Sequence, residues 1–187
     1  MLNNIRIDKS WTLFLDRDGV INEKRVYDYV KTWDEFVFNK GAVEAISELS
    51  NLFGRIIVVT NQRCIGRGII SEQDLSVIHE NMCNEITRNR GRIDKILHCP
   101  EVSDSADCRK PNLGMAFKAK SFFPEIDFHK SVIVGDSNSD MIFGKRAGMV
   151  RVYISEGVTD LKRFEDFDLM VPSLISFGHY CTESKIL

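Results

Sequence analysis

The sequence predicts an α/β fold, a doubly wound parallel sheet with helices on both faces. Three observations carry this. Apolar runs alternate with amphipathic stretches along the chain. Several runs are apolar at consecutive positions and rich in Val, Ile and Leu, as strands covered on both faces must be. The chemically distinctive polar residues follow the runs rather than precede them. A doubly wound sheet opens its ligand crevice at that edge.

The first run, TLFL at 12–15, leads straight into Asp-Arg-Asp-Gly. A helix is predicted over 41–52, where Val43, Ile46, Leu49 and Leu52 recur at helical spacing and Gly54 offers a stop. RIIVVT at 55–60 is the second strand. The helix predicted over 72–89 opens on Ser71, with Asp74 three residues on, a weaker relative of the capping box. IDKILHC at 93–99 is the third strand, followed by a helix over 112–122. SVIVG at 131–135, a helix over 138–147, VRVYI at 150–154 and DLMV at 168–171 complete the alternation. The C-terminal SLISFGHYCTESKIL suits a short helix or tail.

A chain of 187 residues is enough for one domain with a sizeable core, here 1–187, and short for two. Its net charge of −2 gives no general electrostatic basis for binding nucleic acid or an anionic membrane. The basic cluster TRNRGR at 87–92 ends a predicted helix, where cations complement the dipole. No apolar run approaches a membrane span, and MLNNIRIDKS lacks the apolar core of a secretory leader. Five scattered cysteines, an odd number, read as thiols in a reducing compartment, so a cytoplasmic location is expected.

Asp16 and Asp18 follow the first strand, Thr60 and Asn61 end the second, Lys110 lies beyond the third, and Asp136 follows SVIVG. All fall on one edge of the sheet. Two carboxylates one residue apart repel unless something positive sits among them. With Asp136 they make a hard, oxygen-rich site suited to Mg²⁺. Such a cation would let a carboxylate approach a phosphate. Lys110 adds positive charge, and the Thr60 hydroxyl can hydrogen-bond phosphoryl oxygens. Aspartate is a nucleophile towards phosphorus, and the second aspartate is placed to act as general acid and then base. Gly19 lets the chain turn sharply after the pair.

Together FLDRDGVIN, VVTNQ, CRKP and VGDSNSD resemble the four motifs of the haloacid dehalogenase-like (HAD) superfamily, phosphatase branch, over about residues 12–153. The resemblance implies a Rossmann-like HAD core, with Asp16 as nucleophile, Asp18 as acid/base, and Thr60 and Lys110 as phosphoryl stabilisers. It implies Mg²⁺ held by the Asp16 and Asp136 carboxylates and the Asp18 backbone carbonyl, with Asp140 orienting the set. DRDGVIN, TNQ…IGRG, HCP and CRKP are more closely similar to the D,D-heptose 1,7-bisphosphate and histidinol-phosphate phosphatases. That likeness implies a tyrosine touching substrate, Tyr27 or Tyr29, with spacing favouring Tyr27. It implies a sugar pocket lined by Thr60, Asn61, Gln62 and Arg63, and Arg109 recognising the distal end of a small phosphorylated sugar.

One departure is informative. Many members of that family carry a zinc loop reading C-x-H and then C-x-C before RKP. Here the equivalents are Cys99-Pro100-Glu101 and Ala106-Asp107-Cys108. Structural zinc sites are nearly always complete, so zinc is not expected unless His98, Glu101 or Asp107 substitutes. Residues 20–40 have room for a flap but no large cap domain. The site is therefore expected to be open, bordered by loops 23–38, 63–71 and 101–108.

Cys64, beside the phosphate loop, reads as a packing residue. Phe117, Phe122, Phe123 and Phe128 read as core, and His79 and His129 as surface or helix-end residues. The leading expectation is a Mg²⁺-dependent heptose bisphosphate 7-phosphatase. Its rivals are a histidinol-phosphate phosphatase, another sugar-phosphate phosphatase, and a non-catalytic phosphosugar-binding protein. The bases Lys24, Arg25, Arg63, Arg67 and Arg109 in the expected loops favour a bisphosphate. The oligomeric state is open, a monomer among the possibilities.

Overall fold

The computed structural model describes residues 6–155 and 167–183. Its sheet has six parallel strands in the order β3-β2-β1-β4-β5-β6. These are β1 (Thr12–Leu15), β2 (Arg55–Asn61), β3 (Lys95–Cys99), β4 (Ser131–Gly135), β5 (Val150–Ile154) and β6 (Leu169–Val171). The helices are α1 (Ala42–Leu52), the short α2 (Arg63–Gly66), α3 (Glu72–Arg88), α4 (Gly114–Phe122), α5 (Asn138–Ala147) and α6 (Leu174–Glu183). The doubly wound sheet and its alternation match the sequence reading. Residues 184–187 of the expected C-terminal segment lie outside the described residues.

The unbroken apolar runs have a direct structural cause. Alternate residues of one strand face opposite layers. Leu13, Leu15, Ile56, Val58, Val132 and Val134 pack with Ile46, Leu49, Ile78, Met82 and Phe177 on the side of α1, α3 and α6. Phe14, Ile57, Val59 and Ile133 pack with Met115, Ala119 and Phe143 on the side of α4 and α5. Each large side chain so buried contributes about 1.5–3 kcal/mol, so both layers bind the sheet and the register of β1 is fixed from two faces.

Strand order reverses beside β1, whose neighbours are β2 and β4. Leu15 pairs with Val58 on one side and Val134 on the other. β1 and β4 end within one residue of each other, β2 runs on to Asn61, and the residues at these ends share one crevice. Residues 20–40 form a flap without a cap domain. Asn22 bridges Phe38, and Trp33, Phe36 and Phe38 stack together at its base.

Three local expectations are corrected. Phe117 and Phe122 are exposed, because α4 buries only Met115, Ala116 and Ala119. Phe117 lies edge-on to Phe128, and Phe122 carries the Lys95 ammonium over its ring. His79 is buried within the sheet–α3 layer, while His129 is exposed as expected. Cys99 and Cys108 are joined as a disulfide, while Cys64, Cys83 and Cys181 remain thiols. The loop after β3 folds back and brings those two Cα atoms to 5.3 Å, within disulfide reach. Nothing in the spacing of the cysteines announces that return.

The basic cluster also acts on a different helix from the one it ends. Arg92 donates to the carbonyls of Ser50, Phe53 (2.6 Å) and Gly54 (2.9 Å), closing the C-terminus of α1. Its charge complements that end of the dipole. Arg92→Ala is expected to lower the unfolding free energy by about 1.5–3 kcal/mol, the range for hydrogen bonds to a charged group. A urea titration checks this, and an unchanged midpoint would show the contacts to be idle.

Candidate active site

The site begins where β1 ends. The Asp16 N–H donates to the Val134 carbonyl at 3.0 Å, so the first aspartate leaves the sheet still paired to β4. Gly19 then turns the chain at φ +94°, and a Cβ there would lie 2.1 Å from Asp136 Oδ2. At Gly135 a Cβ would lie 2.2 Å from that of Asp140. These two close approaches let carboxylates from β1 and β4 crowd together. Ligand oxygens of Asp16, Asp136 and Asp140 all lie within 4.8 Å of one another.

Lys110 answers that charge. It is 3% exposed, and its ammonium lies 2.9 Å from Asp16 Oδ1 and 2.5 Å from Asp140 Oδ1. It also donates to the Val59 carbonyl at 2.7 Å. Burial works against its charge, yet Asp140 and Asp16 outweigh burial and hold the ammonium well above the usual lysine range. Lys110 reaches this point because Asn61 clasps its backbone. Asn61 Nδ2 donates to the Lys110 carbonyl at 3.1 Å, and the Lys110 N–H donates to Asn61 Oδ1 at 3.0 Å. Ser137, before α5, donates from its N–H and hydroxyl to Asp140 Oδ2, fixing the carboxylate from behind.

The two aspartates of the first loop have opposite environments. Burial, then the crowding of Asp140, Asp136 and Asp18, pushes the Asp16 carboxyl up to about 7 against the pull of Lys110. Burial also opposes the charge of Asp18, but Arg17, Asn22 and Gln62 overcome it and hold that carboxyl below its usual range. Arg17 Nη2 donates to both Asp18 oxygens at 2.9 Å, with Asn22 Nδ2 and Gln62 Nε2 each at 2.9 Å.

The structure brings Asp16, Asp18, Thr60, Lys110, Asp136 and Asp140 to one crevice through these contacts. Thr60 is 1% exposed, its hydroxyl accepting from Gln62 at 2.8 Å. Gln62 is equally buried, its amide engaged by Asp18 and Thr60 rather than facing a pocket. Cys64 packs with Ile70 and Leu75 and donates to Gln62 Oε1. Arg63 and Arg109 both bind Asp104, the latter at 3.0 Å. Tyr27 is fully exposed at the flap tip with φ +65°, whereas Tyr29 accepts a hydrogen bond from Arg67. Arg25 pairs with Glu35. The sequence reading gave no role to Arg17, Asn22 or His79. A buried arginine between two acids leaves no signal beyond its position, and the partner it needs on α3 is far away in the chain.

The donor set fits a divalent cation. Its oxygens are hard, three carboxylates converge, and Asp136 Oδ1 is buried without a partner. Lys24 places its ammonium 2.7 Å from Asp136 Oδ2, so the carboxylate already attracts a cation. The Asp18 carboxylate stands apart from this cluster, turned towards Arg17.

Comparison with known proteins gives the family. The HAD-hydrolase-like family model matches residues 107–175. The chain is 39% identical over 137 residues to a D-glycero-α-D-manno-heptose-1,7-bisphosphate 7-phosphatase of Mycobacterium tuberculosis, covering 73% of this chain and 72% of that one. It is 36% identical over 183 residues to the D-glycero-β-D-manno-heptose-1,7-bisphosphate 7-phosphatase of Vibrio cholerae, covering 92% and 97%. Among solved structures, it superimposes on the D,D-heptose 1,7-bisphosphate phosphatase of B. bronchiseptica, complexed with magnesium and phosphate. The TM-score is 0.83 at 27% identity, with 92% and 98% of the chains covered.

With Asp16 as a ligand, a proton and a cation would compete for it. Below pH 7 its carboxyl is increasingly protonated, so magnesium bound there would have to displace the proton. Calorimetric titration is expected to give about tenfold weaker Mg²⁺ affinity at pH 6 than at pH 8, with proton release at pH 6. Equal affinities at the two pH values would contradict this account of Asp16.

Proposed function

Because this chain belongs to the heptose bisphosphate phosphatase family of HAD-like hydrolases, and so is a phosphatase, we propose that it hydrolyses the 7-phosphate of a D-glycero-D-manno-heptose 1,7-bisphosphate. The observation that carries the chemistry is the Lys110 ammonium 2.9 Å from Asp16 and 2.5 Å from Asp140. It joins three motifs that are far apart in sequence. Relatives of comparable identity act on the α and the β anomer, so the reading covers both. We read 1–187 as one catalytic domain. A cytoplasmic location belongs to the same proposal. Among the described residues, no helix is long and apolar enough to cross a membrane.

In this reading an Asp16 carboxylate oxygen attacks phosphorus, and the bond from phosphorus to the sugar oxygen breaks. Asp18 gives its proton to the departing oxygen. Lys110, with the Thr60 hydroxyl, stabilises charge that develops on the phosphoryl oxygens. Water then attacks the aspartyl-phosphate, Asp18 takes the water proton, and inorganic phosphate leaves with Asp16 restored. The Asp16 and Asp136 carboxylates and the Asp18 carbonyl would hold Mg²⁺, with Asp140 orienting them. Bound there, the cation supplies Lewis-acid polarisation of the phosphoryl group and relieves the repulsion between nucleophile and substrate. Arg63 at the start of α2 and Arg109 from the loop after β3, which meet at Asp104, supply the positive charge that a second phosphate requires. Tyr27 is the remaining proposed substrate contact, while Asn61 and Gln62 act through Lys110 and Asp18.

Phosphate release with Mg²⁺ from both heptose bisphosphate anomers, histidinol phosphate and simple hexose phosphates tests the substrate. The heptose bisphosphates are expected to give the highest kcat/KM, and a preference for histidinol phosphate would replace this reading. Asp16→Asn should abolish turnover. Lys110→Ala should lower kcat about 10²–10³-fold, as for one preorganised donor. A loss below about tenfold would remove Lys110 from the proposed chemistry.

A further inference from the structure

Arg17 lies between the two catalytic aspartates in sequence and is 1% exposed. Its Nη2 reaches both Asp18 oxygens, so a single nitrogen makes the whole ion pair. A contact through one nitrogen does not fix the rotation of the guanidinium plane, unlike a two-nitrogen fork. A second tether is needed, and it comes from α3. Arg17 Nη1 lies 3.1 Å from His79 Nε2, a residue 62 positions away. Arginine only donates, so His79 accepts with Nε2 and carries its proton on Nδ1.

The geometry of His79 suits that task. Its residue is 9% exposed; Ile78 and Met82 hold this stretch of α3 in the core layer beside the sheet, and Leu75 packs with Cys64 and Ile70. A capping box of Ser71 and Asp74 fixes the start of the helix. Burial, then the neighbouring Arg17 charge, pushes the imidazole down to about 3, so it stays a neutral acceptor through any working pH. The His98 ring stands 6.2 Å away and turns its own Nε2 to Glu72, leaving Arg17 to His79.

We propose that His79 is a positioning residue for the leaving-group step: it locks the Arg17 guanidinium, which in turn holds the Asp18 carboxyl where the departing oxygen will be. This rests on the reading of Asp18 as the acid in the proposed phosphatase reaction. An acid matters for a poor leaving group and little for a good one. The consequence is selective. Loss of His79 should harm alkyl phosphates and spare activated aryl phosphates, which a general loss of structure would not do.

The test compares kcat/KM for glycerol 2-phosphate and 2,4-dinitrophenyl phosphate with Mg²⁺, in wild type, His79→Leu, His79→Phe and His79→Gln. Because kcat/KM reports the steps up to aspartyl-phosphate formation, slow hydrolysis of that intermediate does not mask the effect. His79→Leu and His79→Phe are expected to lose about 10–100-fold on the alkyl ester, in line with a misplaced general acid. On the aryl ester they should lose less than about threefold. His79→Gln keeps an acceptor at similar reach and should return the alkyl rate to within about threefold of wild type. Should His79→Leu fail to fold by circular dichroism, His79→Phe, closer in shape, decides. Equal losses on both esters, an unchanged alkyl rate, or no rescue by His79→Gln would each overturn the role of His79. Absence of hydrolysis of either ester by the wild type would overturn the phosphatase reading and this inference with it.

Discussion

The structure depends on one constraint: three carboxylates gathered at one sheet edge must be offset from within. Asp16, Asp136 and Asp140 place ligand oxygens within 4.8 Å of one another. Without compensation such a set favours protonation or separation. Lys110 holds Asp16 and Asp140 together, and Lys24 covers Asp136 from the flap. A buried ammonium is itself costly and persists only when paired and hydrogen-bonded. Its third partner, the Val59 carbonyl, completes that set. The charges hold each other in place, and removal of any one leaves another buried and unmatched.

That arrangement requires the fold to deliver each group with little freedom. Asp16 comes from β1, the strand beside which the sheet reverses its winding, and Asp136 follows β4 alongside it. Lys110 comes from an irregular loop, which alone would be a poor support for the catalytic role proposed for it. The Asn61 clasp removes that weakness, because its side-chain amide binds the Lys110 backbone through both N–H and C=O. The loop residue is thereby referenced to β2, an interior strand beside β1. The disulfide between Cys99 and Cys108 ties the same loop to the end of β3.

Much of this was legible in the sequence, for physical reasons that differ by residue. The strands were visible because burial on both faces demands consecutive apolar residues, and α3 because Ser71 and Asp74 mark its start. Asp16, Asp18, Lys110 and Asp136 were visible because they follow predicted strands, where a parallel sheet places its ligands. Contacts that span the chain without a local pattern were hidden. His79 read as a surface or helix-end residue, since its partner is far away in the chain. Only the tertiary structure sets it opposite Arg17. Phe117 and Phe122 misled in the other direction, since aromatic side chains suggest a core that α4 fills with Met115 and two alanines. The cysteine pair was hidden because loop closure, not spacing, brings the sulfurs together.

The opposite charge tendencies of Asp16 and Asp18 fit the proposed chemistry in an instructive order. Environments that push two neighbouring carboxyls apart are a signature of divided acid and base roles. Yet Asp18, the proposed acid, is the one held ionised, by Arg17, Asn22 and Gln62. In the free protein it therefore stands in the form that serves the second half of the reaction, when water must lose a proton. For the first half it must acquire a proton as substrate arrives. A phosphate dianion entering beside it disfavours a second negative charge nearby, and that repulsion raises the proton affinity of Asp18 only while substrate is bound. The acid is then armed by the substrate's own charge and relaxes to a base once the leaving group has gone. Arg17 must stay in place through both states, because an acid that gains and loses its proton also gains and loses its ion pair.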